Sequence, residues 1–150
     1  MSHSLRPATQ RDIDIVVQFI REYYAFDHLA FDEAHARRAA LEMINDERLG
    51  VIWLICVDNV PVGYAVMAFI HSLECHGSTA FLDEFYLRED QRGAGLGKFA
   101  ITFLVNECVR RGIHALRLEV EHTNPNAQAL YEKMGFVLHG RNILTLPLNA

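Results

Sequence analysis

Phe85-Tyr86-Leu87-Arg88-Glu89-Asp90-Gln91-Arg92-Gly93-Ala94-Gly95-Leu96-Gly97-Lys98 reads as a β-strand that runs into a glycine-rich turn and re-emerges as a helix. Three glycines fall within the five residues 93 to 97. Glycine takes backbone angles closed to other residues, and without a Cβ it lets a ligand approach the main chain closely. The first N–H groups of a helix have no partner inside it and point outward as donors. Together with the positive end of the helix dipole they attract phosphate oxygens. Arg92 and Lys98 can add charge-assisted contacts. The stretch is therefore read as a seat for a phosphate or pyrophosphate, with a turn that merely connects strand to helix as the plainer alternative.

Two better-known phosphate motifs do not fit. A P-loop requires Ser or Thr after its Gly-Lys pair, to hold Mg²⁺. Here Gly97-Lys98 is followed by Phe99. A dinucleotide fingerprint begun at Gly93 requires glycine at position 98, which is Lys98, and belongs after the first strand of its unit. This turn follows at least three predicted strands.

Working outward, Ser4 to Arg6 reads as a short strand stopped by Pro7. Thr9 is placed to cap a helix, with Asp12 in its first turn. Ile13, Val16, Val17, Ile20 and Tyr24 share one helical face, so an amphipathic helix is predicted over residues 10 to 25. A second helix is predicted from about Asp32 through Ala36, Ala39, Ala40 and Met43. Gly50 to Val57 and Val60 to Ile70 are apolar and rich in β-formers, and Asp58-Asn59 between them suggests a hairpin turn. Phe81 to Leu87 is the next strand. Beyond the glycine turn, Leu96, Phe99, Ala100, Phe103, Leu104 and Cys108 define a helix that Gly112 ends. Ala115 to Val120 alternates as a strand, Asn126 to Met134 is a short helix stopped by Gly135, and Phe136 to Leu138 with Asn142 to Leu146 suggest a closing hairpin. The order βααβββαβαββ implies an α/β fold, a mixed central sheet flanked by about four helices.

The 150 residues suit one domain, residues 1–150, without repeats or low-complexity linkers. Hydrophobic residues make up 51% and charged residues 22%, close to the average of soluble proteins. No apolar run reaches the roughly 18–20 residues that cross a bilayer, and the opening Met-Ser-His-Ser-Leu-Arg-Pro lacks the apolar stretch of a secretion signal. The odd set Cys56, Cys75 and Cys108 has no metal-like spacing and reads as reduced thiols, so a cytoplasmic location is expected. A net charge of -5 weighs against nucleic acid and is compatible with a cationic small substrate.

The pattern Arg92-x-x-Gly95-x-Gly97 after a strand resembles the acyl-CoA pyrophosphate loop of the GNAT superfamily of N-acetyltransferases. About 30 residues later, Asn124-Pro-Asn-Ala127-Gln-Ala-Leu130-Tyr131-Glu-Lys-Met-Gly135-Phe136 is similar to that superfamily's second cofactor motif. The opening Leu5-Arg6-Pro7-Ala8-Thr9-x-x-Asp12 resembles its usual beginning, so the likeness covers essentially the whole chain. It implies the acyl-CoA N-acyltransferase fold with six to seven strands, and acetyl-CoA as cosubstrate without a metal. It implies that Arg92, Gly93, Ala94, Gly95, Leu96 and Gly97 hold the CoA pyrophosphate, with Lys98 as an extra donor. Phe85, Tyr86 and Leu87 would run beside the pantetheine arm, Asn124 would bond near it, and Tyr131 would protonate the departing thiolate. Asn124 before Pro125 is equally a helix N-cap, and Tyr131 could also be a half-buried helix aromatic.

Acetyl transfer to an amine needs the amine neutral. An alkyl amine of pKa ~10.4 is only about 0.04% neutral at pH 7, so a proton acceptor is required. Asp83 and Glu84 are the candidates, because they interrupt the otherwise apolar strand Phe81-Leu82-Asp83-Glu84-Phe85-Tyr86-Leu87 just before the loop. Alternation sends them to opposite faces of a regular strand, a bulge could change that, and Glu84 is ranked first. Tyr23, Tyr24 and Phe26 end the first helix, where an aromatic wall could hold a cationic amine or simply pack. Glu74, in the loop His71-Ser72-Leu73-Glu74-Cys75-His76, could line the acceptor entrance; a metal site there is not expected.

The expected activity is direct transfer from acetyl-CoA to a primary amine, a small molecule being preferred over a protein amine. The alternative is a regulatory module of the same fold that binds acyl-CoA without turnover. No nucleic-acid or membrane partner is expected, and the resemblance is compatible with a homodimer.

Overall fold

The computed structural model describes residues 1–148, which divide into two units, Met1–Leu118 and a smaller one from Glu119 onward. In the first unit, β1 (His3–Pro7) leads through a 3₁₀ turn (Gln10–Asp12) into α1 (Ile13–Phe26) and α2 (Glu33–Asn45). Then follow β2 (Gly50–Val57), β3 (Val60–Ser72), β4 (Gly77–Leu87), α3 (Leu96–Arg110) and β5 (Leu116–Leu118). The strands lie side by side in chain order, each antiparallel to the next except for the parallel pair β4–β5, whose crossover is α3. The second unit contains α4 (Pro125–Lys133).

Local chemistry sets the boundaries. The Asp12 carboxylate accepts the Thr9 N–H at 2.8 Å and the Arg6 guanidinium at 2.8 and 2.9 Å, closing the entry to α1. The Arg6 bonds hold the Asp12 carboxyl well below the usual carboxylate range. The Asp32 side chain caps α2 by accepting from the His35 N–H at 2.9 Å. Asp58 and Asn59 have φ of 51° and 67°, as the tight turn between the paired residues Val57 and Val60 requires.

The sheet is buried on both faces, which is why β2 and β3 read as unbroken apolar runs rather than alternating ones. Ile52, Leu54, Cys56, Tyr64, Val66 and Tyr86 face Val16, Phe19 and Ile20 of α1 and Ala40 of α2. On the opposite face Met67 meets Cys108 of α3 across 3.7 Å between sulfurs, and the Trp53 ring meets Phe103 with centroids 5.2 Å apart.

The mixed sheet and its four α-helices are as expected, with five strands rather than six to seven among the described residues. β4 starts at Gly77, four residues before the predicted start, and β5 keeps only Leu116–Leu118 of the predicted 115–120. Residues 136–138 and 142–146 are not strands. Their β-branched and leucine-rich composition suggested a hairpin, but a strand exists only by its ladder. Val137, Leu138, Ile143, Leu144 and Leu146 instead lie exposed.

Leu54 is fully buried between β1, β3 and the two helices. Leu54→Ala is expected to lower the unfolding free energy by about 2–5 kcal/mol, through lost apolar burial and the cavity left behind. Urea titration followed by circular dichroism measures it; a loss under about 1 kcal/mol would show that this face is not close-packed.

Candidate active site

The site begins with a break in the ladder. Val66 of β3 pairs with Glu84 and the next residue, Met67, pairs with Leu82, so Asp83 is an extra residue in β4. Such a bulge reverses the side-chain alternation beyond it. Leu82 lies opposite Met67, on the sheet face that meets α3, whereas Glu84 lies opposite Val66 on the face that meets α1. The parallel ladder to β5 also ends here, at Leu82↔Leu118, while β4 continues to Leu87. Among the described residues, no strand pairs with that side of β4 from Asp83 onward.

Glu84 is part-buried and accepts hydrogen bonds from two phenols. Its Oε2 accepts from the Tyr24 hydroxyl at 2.6 Å, and its Oε1 accepts from the Tyr64 hydroxyl at 2.8 Å. Tyr64 reaches it from β3 as the diagonal neighbour on the same face, and Tyr24 from the last turns of α1. Burial pushes the Glu84 carboxyl up; the two hydroxyls pull it partly back, and repulsion from nearby Asp83 raises it again. Burial together with the Glu84 charge holds both phenols firmly protonated. Asp83 itself is exposed. The two adjacent carboxylates thus have different surroundings, and the bulge sets Glu84 on the face opposite Leu82.

A second carboxylate ties α1 to the end of β4. Glu22 accepts two hydrogen bonds from the Arg88 guanidinium, both 3.0 Å, and one from the Tyr86 hydroxyl at 3.1 Å. Arg88 also lies over the Phe19 ring at 4.8 Å. Beside this clamp is a cavity of about 290 Å³ lined by Tyr23, Phe26, Phe85, Tyr86, Leu87 and Arg92. Arg92 donates from Nε to the Leu87 carbonyl at 2.8 Å, and its guanidinium covers the Phe26 ring at 4.5 Å. Its side chain is therefore turned to the strand end and not onto the helix start, where the sequence pattern placed it.

The glycine turn has the form read from its sequence. Gly93 and Gly95 have φ of +82° and +85°, the left-handed region that favours glycine. A Cβ at either would meet nothing within 4 Å, so backbone angle and not crowding explains these glycines. Gly95 caps α3, whose first internal bond runs from the Phe99 N–H to the Gly95 carbonyl at 3.0 Å. The amides of Leu96, Gly97 and Lys98 precede that bond and are the orphan donors of the helix start. Leu96 is buried and anchors the turn; Ala94 and Lys98 are exposed.

In the second unit, the Asn124 side chain accepts from the Ala127 N–H at 3.2 Å with Pro125 at the first helical position, so it does cap α4. Tyr131 stacks edge-on against Phe136 with centroids 5.6 Å apart, and burial pushes its phenol up. Gly135, at φ +102°, turns the chain after α4.

The structure therefore brings Tyr23, Tyr24, Phe26, Glu84, Phe85, Tyr86, Leu87 and Arg92 into one region of the first unit. Glu74 is not part of it. It pairs with Arg117 at 3.0 Å in the β3–β4 loop; at ~3.3 Å per strand residue this is roughly 20 Å from Glu84. Sequence reasoning missed Tyr64, Glu22 and Arg88. A lone tyrosine in the apolar run Val62-Gly63-Tyr64-Ala65-Val66 was the available signal for the first. Nothing in the sequence pairs Glu22 with Arg88.

Comparison with known proteins bears on this arrangement. The model of the acetyltransferase (GNAT) family matches residues 16–136. Thialysine N-epsilon-acetyltransferase of Mus musculus is 24% identical over 147 residues, covering 89% of this chain and 84% of that protein. Among solved structures, integron cassette protein HFX_CASS3, from the mobile metagenome of Cole Harbour Salt Marsh, is 31% identical. Its TM-score is 0.85, over 97% of this chain and 91% of that one. A predicted acetyltransferase from Clostridium acetobutylicum, solved with acetyl-CoA, shares the fold with TM-score 0.77 and 22% identity, over 99% of this chain and 96% of that one. A strand that ends in a helix-capping glycine turn, and a family match spanning both units, make this chain a member of the GNAT family and an N-acetyltransferase.

Proposed function

We propose that the protein transfers acetyl from acetyl-CoA directly to the primary amine of a small cationic molecule, with residues 1–150 acting as one catalytic domain in the cytoplasm. The observation that carries this reading is the Glu84 carboxylate, held by two phenols at the unpaired end of β4 and a few residues before the glycine turn. The family match across both units supports a single domain, and the three free cysteines fit a reducing compartment.

The parts divide the work as follows. The amides of Gly93 to Lys98 receive the diphosphate, with the Lys98 ammonium as a further donor; the open space over Gly93 and Gly95 fits a ligand lying on the main chain. The unpaired side of Phe85, Tyr86 and Leu87 offers backbone groups to the pantetheine arm, and Asn124, whose Oδ1 is committed to α4, offers its amide N–H. Glu84 takes the proton from the acceptor's ammonium, the neutral nitrogen bonds to the thioester carbonyl carbon, and the carbon–sulfur bond breaks as the nitrogen sheds its second proton to solvent, from which Tyr131 regains the one it gives to sulfur. Tyr131 donates to the departing sulfur. Its phenol, raised by burial, is fully protonated near neutrality and so always able to donate. A covalent acyl-cysteine is disfavoured: burial pushes the Cys56 and Cys108 thiols up, away from the thiolate that attack requires. The name of the mouse relative, thialysine N-epsilon-acetyltransferase, supports a small acceptor, and the exposed Asp83 supports a cationic one.

Three measurements check the reading. Gly95→Ala places a Cβ where φ is +85°, at a cost of ~1–2 kcal/mol. Calorimetry should show CoA binding weakened about tenfold, with the circular dichroism spectrum unchanged; equal affinity would remove the turn from the cosubstrate site. Glu84→Gln, assayed by thiol release over a panel of diamines, amino acids and aminoglycosides, should lose about 10²–10⁴ in kcat/KM. In the wild type the rate should fall as pH drops through the Glu84 pKa, which lies above the usual 4.5. A flat profile would place deprotonation elsewhere. Tyr131→Phe should lower kcat at least tenfold at saturating acetyl-CoA, and an unchanged rate across pH would take Tyr131 out of the mechanism.

A further inference from the structure

Both oxygens of the Glu84 carboxylate are occupied by phenols, and the two phenols are not equivalent. Tyr64 is completely buried, with its ring stacked on Phe19 at 6.2 Å, and its hydroxyl faces the interior. Tyr24 is only half-buried, at the surface end of α1 beside Tyr23 and Phe31. Of the two groups hydrogen-bonded to Glu84, Tyr24 is the one that solvent reaches, so its hydroxyl is the phenol open to an acceptor arriving at the surface end of α1. Resting on the reading of Glu84 as the base, we propose that Tyr24 is a catalytic proton relay between the acceptor ammonium and Glu84, and that Tyr64 is a positioning residue that fixes the carboxylate.

The relay balances without an ionised intermediate. The ammonium N–H bond breaks as its proton bonds to the Tyr24 Oη, and in the same motion the Tyr24 O–H proton passes to the Glu84 Oε2, 2.6 Å away. The products are a neutral amine, an intact phenol and a protonated Glu84, which afterwards loses its proton to solvent by the reverse route. Concerted exchange is required because the phenol beside a buried carboxylate resists becoming a phenolate. The titratable groups facing Glu84 are Tyr24 from α1, Tyr64 from β3 and Asp83 of its own strand, with Tyr23 one ring further out. Tyr24 and Tyr64 both stabilise its charged form, so loss of either raises its pKa. Only the loss of Tyr24 also breaks the path.

The two roles separate in pH profiles of kcat/KM for Tyr24→Phe and Tyr64→Phe, measured with acetyl-CoA and the panel amine of highest kcat/KM. Both substitutions should move the acidic limb to higher pH. Above that limb Tyr64→Phe should return to within about threefold of wild type, whereas Tyr24→Phe should stay about 100-fold lower. The carboxyl ¹³C resonance of Glu84, titrated without substrate, should show the raised pKa in both variants and confirms that each is folded. If Tyr24→Phe recovers the wild-type plateau, the relay is wrong while the base survives. If Glu84→Gln turns over normally, or no panel amine is acetylated, the underlying reading fails and the relay with it.

Discussion

Asp83 stands in β4 with no residue opposite it on β3, and the arrangement of the site follows from that one extra residue. In a regular strand Leu82 and Glu84, two apart, would share a face. The insertion puts Leu82 with Met67 toward α3 and Glu84 with Val66 toward α1, where Tyr24 and Tyr64 can reach it. The pairing with β5 ends at the same place, at Leu82↔Leu118, just before the residue at which β4 bends. Beyond it the backbone of β4 has one unpaired side leading toward the glycine turn. A carboxylate on one face and an open strand edge thus meet at one point of β4.

The energetics of Glu84 explain why two phenols are there. A carboxylate moved out of water without partners is destabilised far beyond what any single hydrogen bond returns. Two O–H donors at 2.6 and 2.8 Å offset part of that penalty, and the remainder appears as a raised pKa. The result is a carboxylate more basic than an exposed one. Asp83, one residue away but exposed, keeps the ordinary surroundings of a surface carboxylate.

Much of this was legible beforehand. Helical spacing from Ile13 to Tyr24, the Asp58-Asn59 turn and the positive-φ glycines at 93 and 95 each depend on chemistry local to a few residues, and each appears in the structure where the sequence put it. Glu84 was singled out because an acid in an apolar strand needs a reason. The phenols that hold it were not legible as a set: Tyr64 lies 20 residues away in sequence and becomes its neighbour only through the β3–β4 register. The contacts of Arg92 were equally hidden. Its charge suggested an anion contact, but the nearby Phe26 and Tyr86 rings and the Leu87 carbonyl offer a geometric match that composition could not reveal. The hairpin read into 136–146 failed because strand propensity is only fitness for a sheet, and no ladder receives those residues.

α1 joins the two halves of the chemistry within the first unit. Its Tyr24 reaches Glu84, and two residues earlier Glu22 grips Arg88, the first residue after β4. A 2.6 Å phenol–carboxylate contact tolerates little sliding of a helix over a sheet, since a shift of half an ångström forfeits much of a hydrogen bond. The bidentate Arg88–Glu22 pair and the Tyr86 hydroxyl fix that helix at the level of the strand end, and Arg88 in turn leads into the segment that becomes the glycine turn. An ion pair that solvent still reaches contributes little to stability. Here its value lies in geometry: it holds the element bearing the phenol in register with the strand that bears the carboxylate and leads into the glycine turn.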